Sequence, residues 1–356
     1  MMKHNGRVRV LVVDDSAMVR EILSRGLALD PVIEVVGTAG DPYAARDKIL
    51  ALNPNVLTLD VEMPRMDGVE FLRRLMPQHP LPVLMVSALT QAGKRITLEA
   101  LEAGAVDFVA KPSTDVARGL NEMLAELRAK VKMAATVNVS GWRKQEAREP
   151  AAPPAQPVRA LAESTDKVMA IGASTGGTEA LRFILTQLPA DAPGVVIVQH
   201  MPAGFTKMFA ERLNEQCRLQ VKEAASGDRV LQGRALIAPG DYHLTVRRSG
   251  GTYVVDCQQG EKVCGHRPSV EVLMQSVARY AGANAVGAIL TGMGHDGADG
   301  LLAMRREGAR TLAQDEATSV VFGMPKVAWE RGGAERLVSL SAIPQTLMTL
   351  SAEAGR

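Results

Sequence analysis

Ser174 lies in VMAIGASTGGTEALRFIL, at the centre of Gly172-Ala173-Ser174-Thr175-Gly176, between an apolar run and a segment of helical period. A serine in a G-x-S-x-G turn between strand and helix is exposed on a tight bend, with helix-start amides beside it, as a nucleophile requires. The same spacing fits a glycine loop that cradles phosphate, although Gly176-Gly177 lacks the Lys-Ser/Thr pair that completes a P-loop. His200 ends VVIVQH, 26 residues after Ser174, so one right-handed crossover brings both to the same edge. Asp296 sits in the glycine-rich loop of AVGAILTGMGHDG, where a carboxylate can orient an imidazole. His295 is a rival base, but neighbouring residues do not easily form a base and its orienter between themselves. His243 and His266 read as surface or satisfied structural histidines outside the site.

A second group of reactive residues stands in the first half. Asp14 and Asp15 follow VRVLVV, Asp60 ends VLTLD, Ser87 ends PVLMVS and Lys111 follows AVDFVA. Parallel sheets place their sites at the carboxyl ends of strands. Three carboxylates crowded there repel one another, and a hard divalent cation, Mg²⁺ for preference, relieves the repulsion. With Lys111 neutralising phosphoryl oxygens, the set suits phosphoryl transfer to a carboxylate, Asp60 attacking.

These positions need strands that end together. The first half alternates VRVLVV, IEVVG, VLTLD, PVLMVS and AVDFVA with helical segments, the pattern of a five-stranded parallel α/β domain. The second half repeats that grammar in VMAIG, VVIVQ, RALIAP, AVGAIL and RTLAQ, and is a second α/β domain with a mainly parallel, doubly wound sheet. HLTVRRSGGTYVVDC interrupts it with the signature of one antiparallel hairpin about Gly250-Gly251. Between the halves lies a stretch rich in Ala, Pro and charge, which reads as a linker. The expected division is 1–133, a linker over 134–164, and 165–356.

Composition narrows the function classes. Forty-one basic residues against 39 acidic ones leave a formal charge of +2, which provides no bulk field for nucleic acid. No apolar run reaches the ~18 residues of a membrane span, and the start does not read as a signal peptide, so a cytoplasmic protein is expected. Cys217, Cys257 and Cys264 lack C-x-x-C spacing and read as three free thiols, without a disulfide framework or zinc site.

The first-half motifs, DD at 14 and 15, LDVEMPRMDG at 59–68, SA at 87–88 and AKP at 110–112, resemble the flavodoxin-like receiver domain of two-component response regulators. That resemblance implies Asp60 as phosphoacceptor, Mg²⁺ on Asp14, Asp15, Asp60 and the Glu62 carbonyl, Ser87 and Lys111 sensing the acyl phosphate, and Phe108 as a switch aromatic. It also implies a cis bond at Lys111-Pro112. GASTGG, QHMPAGF, IAPGDYH, HRPSV, LTGMGHDG and VFGMP, behind a receiver and linker, resemble the chemotaxis protein-glutamate methylesterase/protein-glutamine glutaminase (CheB) family over essentially the whole chain. This second resemblance implies Ser174 as nucleophile, His200 as base, Asp296 as orienter, Thr175 beside the histidine and the Met293 amide in the oxyanion hole. The esterase chemistry would need no cofactor. The implied partners are methyl-accepting chemotaxis receptors as substrate and a histidine kinase as phosphodonor, with recruitment to receptor arrays through protein contacts rather than insertion in the membrane. The competing reading is a response regulator whose second domain only binds protein or DNA, although no helix-turn-helix with a basic recognition helix follows the linker.

Overall fold

The computed structural model describes residues 6–88, 90–112, 116–137, 139 and 167–355, so most of the expected linker lies outside the described residues. The chain separates into two compact units, Met1–Pro154 and Ala155–Arg356.

In the first unit, β1 (Val8–Val13), β2 (Ile33–Ala39), β3 (Val56–Asp60), β4 (Val83–Ser87) and β5 (Asp107–Ala110) form one sheet in the order β2-β1-β3-β4-β5. Every pairing in it is parallel. β3 and β4 are buried along their whole length, which is why they read as unbroken apolar runs instead of alternating ones. The helices between strands start at side-chain caps. Asp41 accepts from the amides of Tyr43 and Ala44, and Asp67 accepts from that of Glu70, satisfying donors that the first helical turn leaves open. The chain reverses its direction of winding between β1 and β3, and this opens a crevice at their carboxyl ends.

The second unit is built on β6 (Val168–Ala173), β7 (Gly194–Gln199), β8 (Gln220–Glu223), β9 (Arg234–Ile237), β10 (His243–Ser249), β11 (Thr252–Gln258), β12 (Ala285–Ile289), β13 (Arg310–Gln314) and β14 (Leu337–Val338). Seven of them make a parallel sheet in the order β14-β13-β12-β6-β7-β9-β8. The winding reverses at β6, whose two neighbours are β7 and β12. Ser174, His200 and the loop bearing Asp296 therefore leave three adjacent strands.

The structure adds to the expected strands. β8 and β14 carry no apolar run and were not anticipated; they are the two edges of the sheet. The hairpin β10–β11 is a separate two-stranded sheet, turned through Gly250, whose φ of 59° suits a residue without a Cβ. Leu244, Val246, Tyr253 and Val255 of the hairpin join the core formed with helix Val270–Ala281. Among the described residues the cis peptide is Arg267–Pro268, so the cis bond expected at Lys111–Pro112 is not observed. That expectation came from resemblance, and the bond keeps the trans form that X-Pro favours by default. The three cysteines are free. Among the described residues no helix is long and apolar enough to cross a membrane.

Helix Val270–Ala281 buries Val270, Leu273, Met274 and Val277 completely, a stripe at helical spacing that packs the helix against β10 and the central strands β6, β7 and β12. Replacing Leu273 with Ala should cost about 2–5 kcal/mol of stability through lost burial and a residual cavity. Chemical denaturation of the full chain measures this, and a change within the noise of the parent would show that the helix is not anchored by this stripe.

Candidate active site

The serine turn is pinned from two sides. The Ser174 amide donates to the Thr291 carbonyl at 3.0 Å, and the Ser174 carbonyl accepts from the Gly177 amide at 2.7 Å and from Gln199 Nε2 at 2.9 Å. Thr291 adds its hydroxyl, which donates to the Thr175 carbonyl at 3.0 Å and accepts from the Val321 amide at 2.9 Å. Close approach at two glycines makes this packing possible. A Cβ on Gly177 would lie 2.2 Å from Gln199 Oε1, and one on Gly292 would lie 2.7 Å from the Ser174 Cβ.

His200 continues β7, its amide donating to the Ala173 carbonyl at 3.1 Å. Its Nδ1 is 3.1 Å from Ser174 Oγ and its Nε2 is 2.7 Å from Asp296 Oδ2. An ionised carboxylate only accepts, so Nε2 carries the proton and Nδ1 presents its lone pair to the serine hydroxyl. The side chains of His200 and Asp296 are 8% and 2% exposed, so water competes little for either bond.

Asp296 is held as firmly as it holds His200. Its Oδ1 accepts from Ser269 Oγ at 2.7 Å and from the Glu271 amide at 3.0 Å, and its Oδ2 also accepts from the Val270 amide at 2.7 Å. The carboxylate thus caps the start of helix Val270–Ala281, where open amides and the helix dipole favour negative charge. Burial alone would push its carboxyl up, but the hydrogen bond and charge of His200, with Ser269 and the Glu271 amide, outweigh that and hold it at about 2.

The expected residues Ser174, His200 and Asp296 are therefore brought together, while His295 is exposed and stands apart from this chain of hydrogen bonds. Thr175, next to Ser174 in the chain, is buried. Met293 is exposed in the loop after β12, and among the described residues its amide donates to no acceptor. His243 is buried, its Nε2 facing the Glu261 carbonyl at 2.9 Å, while its buried Nδ1 has no hydrogen-bond partner among the described residues.

Two residues in contact with this group escaped the sequence reading. His266 was placed outside the site, yet its ring stacks on His200, with centroids 3.8 Å apart and planes 12° from parallel. Gln199 is 3% exposed and its Nε2 also reaches the His200 carbonyl at 3.3 Å, so one amide ties together the backbones of serine and histidine. A polar residue closing an otherwise apolar strand, next to the histidine, was the available signal for Gln199. His266 offered none, because it reaches the site through a tight turn and not from a strand end.

The first unit gathers its acids as expected. Asp14 is fully buried, Asp60 is buried and Asp15 is exposed, and one carboxylate oxygen of each lies within 4.8 Å of the others. Lys111 Nζ bridges Asp14 Oδ2 at 2.9 Å and Asp60 Oδ2 at 3.0 Å. Burial is the main cause that pushes the Asp60 carboxyl up to about 6; Lys111 opposes it and Asp14 adds to it. A cavity of ≈ 590 Å³ opens here, lined by Asp15, Asp60, Glu62, Met63 and Lys111 among others. Clustered hard oxygens at a solvent-facing cavity suit a divalent cation. Ser87 is buried, accepting from Thr97 Oγ1 at 2.7 Å and donating to the Gly93 carbonyl at 3.3 Å. Phe108 is buried, with the Lys130 ammonium 5.5 Å from its ring centroid.

Comparison with known proteins gives the family of both units. Residues 169–347 match the CheB methylesterase family and residues 10–125 match the response regulator receiver domain family. A protein-glutamate methylesterase/protein-glutamine glutaminase of Syntrophotalea carbinolica is 67% identical over 347 residues, covering 98% of each chain. One of the same name from Sulfurimonas denitrificans is 52% identical over 97% of this chain and 99% of its own length. The crystal structure of the Thermotoga maritima CheB methylesterase catalytic domain is 39% identical with a TM-score of 0.51, covering 52% of this chain and 98% of that one.

The acid side of stability follows from Asp296. Its folded value of about 2 lies below the ordinary 3.8, so the stability it contributes is present above pH 4 and is lost as pH falls through 2. The loss amounts to about 2 kcal/mol. Near pH 3 the parent should take up about 0.8 more proton on unfolding than Asp296→Asn does, and less on either side. Parallel slopes of stability against pH for the two proteins would contradict the assignment.

Proposed function

The chain belongs to the CheB methylesterase family, with a response-regulator receiver ahead of the catalytic domain, and from that membership we propose that it hydrolyses glutamate γ-methyl esters on chemoreceptors. The observation that carries the reading is the unbroken relay from Ser174 Oγ to His200 Nδ1 and from His200 Nε2 to Asp296. Ser174 attacks the ester carbonyl as His200 takes the hydroxyl proton at Nδ1, and Asp296 stabilises the resulting imidazolium. The Met293 amide faces the oxyanion, a donor that needs no reorganisation as charge develops. Collapse of the tetrahedral intermediate breaks the bond to the methoxy oxygen, which recovers the proton from His200 and leaves as methanol. Water then attacks the γ-glutamyl ester of Ser174, giving its proton to His200, and frees the glutamate and the serine. The same steps on a carboxamide release ammonia and convert glutamine to glutamate.

The receiver, taken as residues 1–133 and joined through 134–164 to a catalytic domain over 165–356, regulates this activity by phosphorylation at Asp60. A histidine kinase of the chemotaxis pathway is the donor class. Mg²⁺ held by Asp14, Asp15 and Asp60, with the Glu62 carbonyl, would neutralise the incoming phosphoryl oxygens. Lys111, already paired with Asp14 and Asp60, supplies the fixed positive charge beside them. Ser87, now bonded within its own segment, and Phe108 are the residues that would register the acyl phosphate. Phosphorylation adds about 1.5 to 2 negative charges at this point, enough to shift a two-state equilibrium. A second domain that only bound a partner would have no use for a hydrogen-bonded Ser-His-Asp relay, so the binding-only reading is not favoured.

Ser174→Ala should lower methanol release from methylated receptor by about 10³-fold or more, and near-normal release would remove the nucleophile assignment. His200→Ala should be similarly slow while His295→Ala keeps most of the rate; the opposite pattern would move the base to His295. A small phosphodonor with Mg²⁺ should stimulate the parent but not Asp60→Asn, and stimulation that survives the substitution would place the phosphoacceptor elsewhere.

A further inference from the structure

We propose that His266 is a positioning residue for the catalytic base, acting through the face of its ring; this rests on the relay reading above. The two hydrogen bonds of His200 leave one motion unopposed. They run from Nδ1 to Ser174 and from Nε2 to Asp296, so together they define an axis through the imidazole. Rocking of the ring about that axis stretches neither bond at first, yet it tilts the Nδ1 lone pair away from the serine hydroxyl. A second ring lying flat against the first, 3.8 Å away and 12° from parallel, blocks that rocking on one side by direct contact.

The segment that presents His266 is built to keep it there. Val263 and His266 exchange backbone hydrogen bonds, Val263 N to His266 O at 3.1 Å and His266 N to Val263 O at 3.0 Å, closing a two-residue turn. Cys264 and Gly265 at its tip take φ of 52° and 82°, the left-handed pair that this tight turn demands. On the other side Arg267 is tied through its guanidinium to Asp241, with Nε 2.9 Å from Oδ1, and to the Gly260 carbonyl. Two residues further on, Ser269 donates to Asp296. The same short stretch thus fixes the orienter of His200 at one end and the plane of its ring at the other.

Chemistry gives the stack a second use. When His200 takes the serine proton it becomes a cation, and the face of an aromatic ring attracts a cation. A flat neighbour therefore favours the charged state that forms on the way to the tetrahedral intermediate. An aromatic pair of this kind is worth on the order of a tenfold change in rate if it is made fully in the transition state.

The test compares His266→Phe, His266→Gln and His266→Ala in the full-length protein. Phe keeps a ring face without nitrogens, and Gln keeps polar hydrogen-bonding atoms without a face. Methanol release should fall about tenfold in kcat for the Gln and Ala variants, with KM unchanged, and stay within about threefold of the parent for the Phe variant. With ¹³C-labelled histidine, the ring protons of His200 should lose their upfield ring-current displacement in the Gln and Ala variants and keep it in the Phe variant. A Gln variant as fast as the parent would overturn the proposal, as would a Phe variant as slow as Ala, which would transfer the role to the imidazole nitrogens. The second-order rate of Ser174 phosphonylation by a fluorophosphonate, read on the same proteins, separates this from the substrate assignment. If methyl esters prove not to be the substrate, the order parent, Phe, then Gln and Ala should still appear in that rate; its absence would count against the stack itself.

Discussion

The Asp296 carboxylate is the group on which the second domain's chemistry and architecture both depend. A buried charge survives only when its lone pairs are engaged, and here they are met by Ser269, the Val270 and Glu271 amides, and His200. Three of those donors belong to the start of one helix, so the carboxylate closes a helix end and aims an imidazole at once. The apolar stripe beneath that helix, Val270 to Val277, then bears directly on the geometry of His200. Packing energy, spent deep in the core, is what keeps the relay in register with the serine.

The two domains solve opposite electrostatic problems at the same kind of place. Each site lies where the winding of a parallel sheet reverses, between β1 and β3 in one and around β6 in the other. In the receiver the acids outnumber their donors. Lys111 spans Asp14 and Asp60, Asp15 remains exposed, and the Asp60 carboxyl sits well above its ordinary value, largely through burial. In the catalytic domain the acid is oversupplied with donors and sits well below it. One site groups three acids around a single ammonium, as a divalent cation could use, while the other meets its charge with its own donors.

How much of this was legible in the sequence follows from physical range. Residues at the ends of long apolar runs were readable, because a strand buried on both faces announces itself and its last residue is placed by the sheet; Asp14, Asp60, Ser174 and His200 belong to this group. Asp296 was readable through the glycines around it. His266 was not, since its place depends on a turn, an Arg267–Asp241 tie and the path between them, none of which has a period. β8 escaped because QVKE is half-exposed and polar, and β14 because two residues make no pattern. The hairpin was read correctly as a hairpin, but its separation from the main sheet depends on packing against helix Val270–Ala281, which local sequence does not encode.

Those two unreadable strands have a bearing on how the protein behaves in a crowded cell. A parallel sheet of seven strands has two open flanks, and a long, flat, apolar flank invites another chain to add itself by backbone pairing. Here one flank is a two-residue bridge and the other is a four-residue strand carrying Gln220, Lys222 and Glu223. Neither offers a ladder long enough to template a guest. The seven-stranded sheet thus resists edge-to-edge growth at its own borders, so a crowded solution carries little risk of fibre formation by this route.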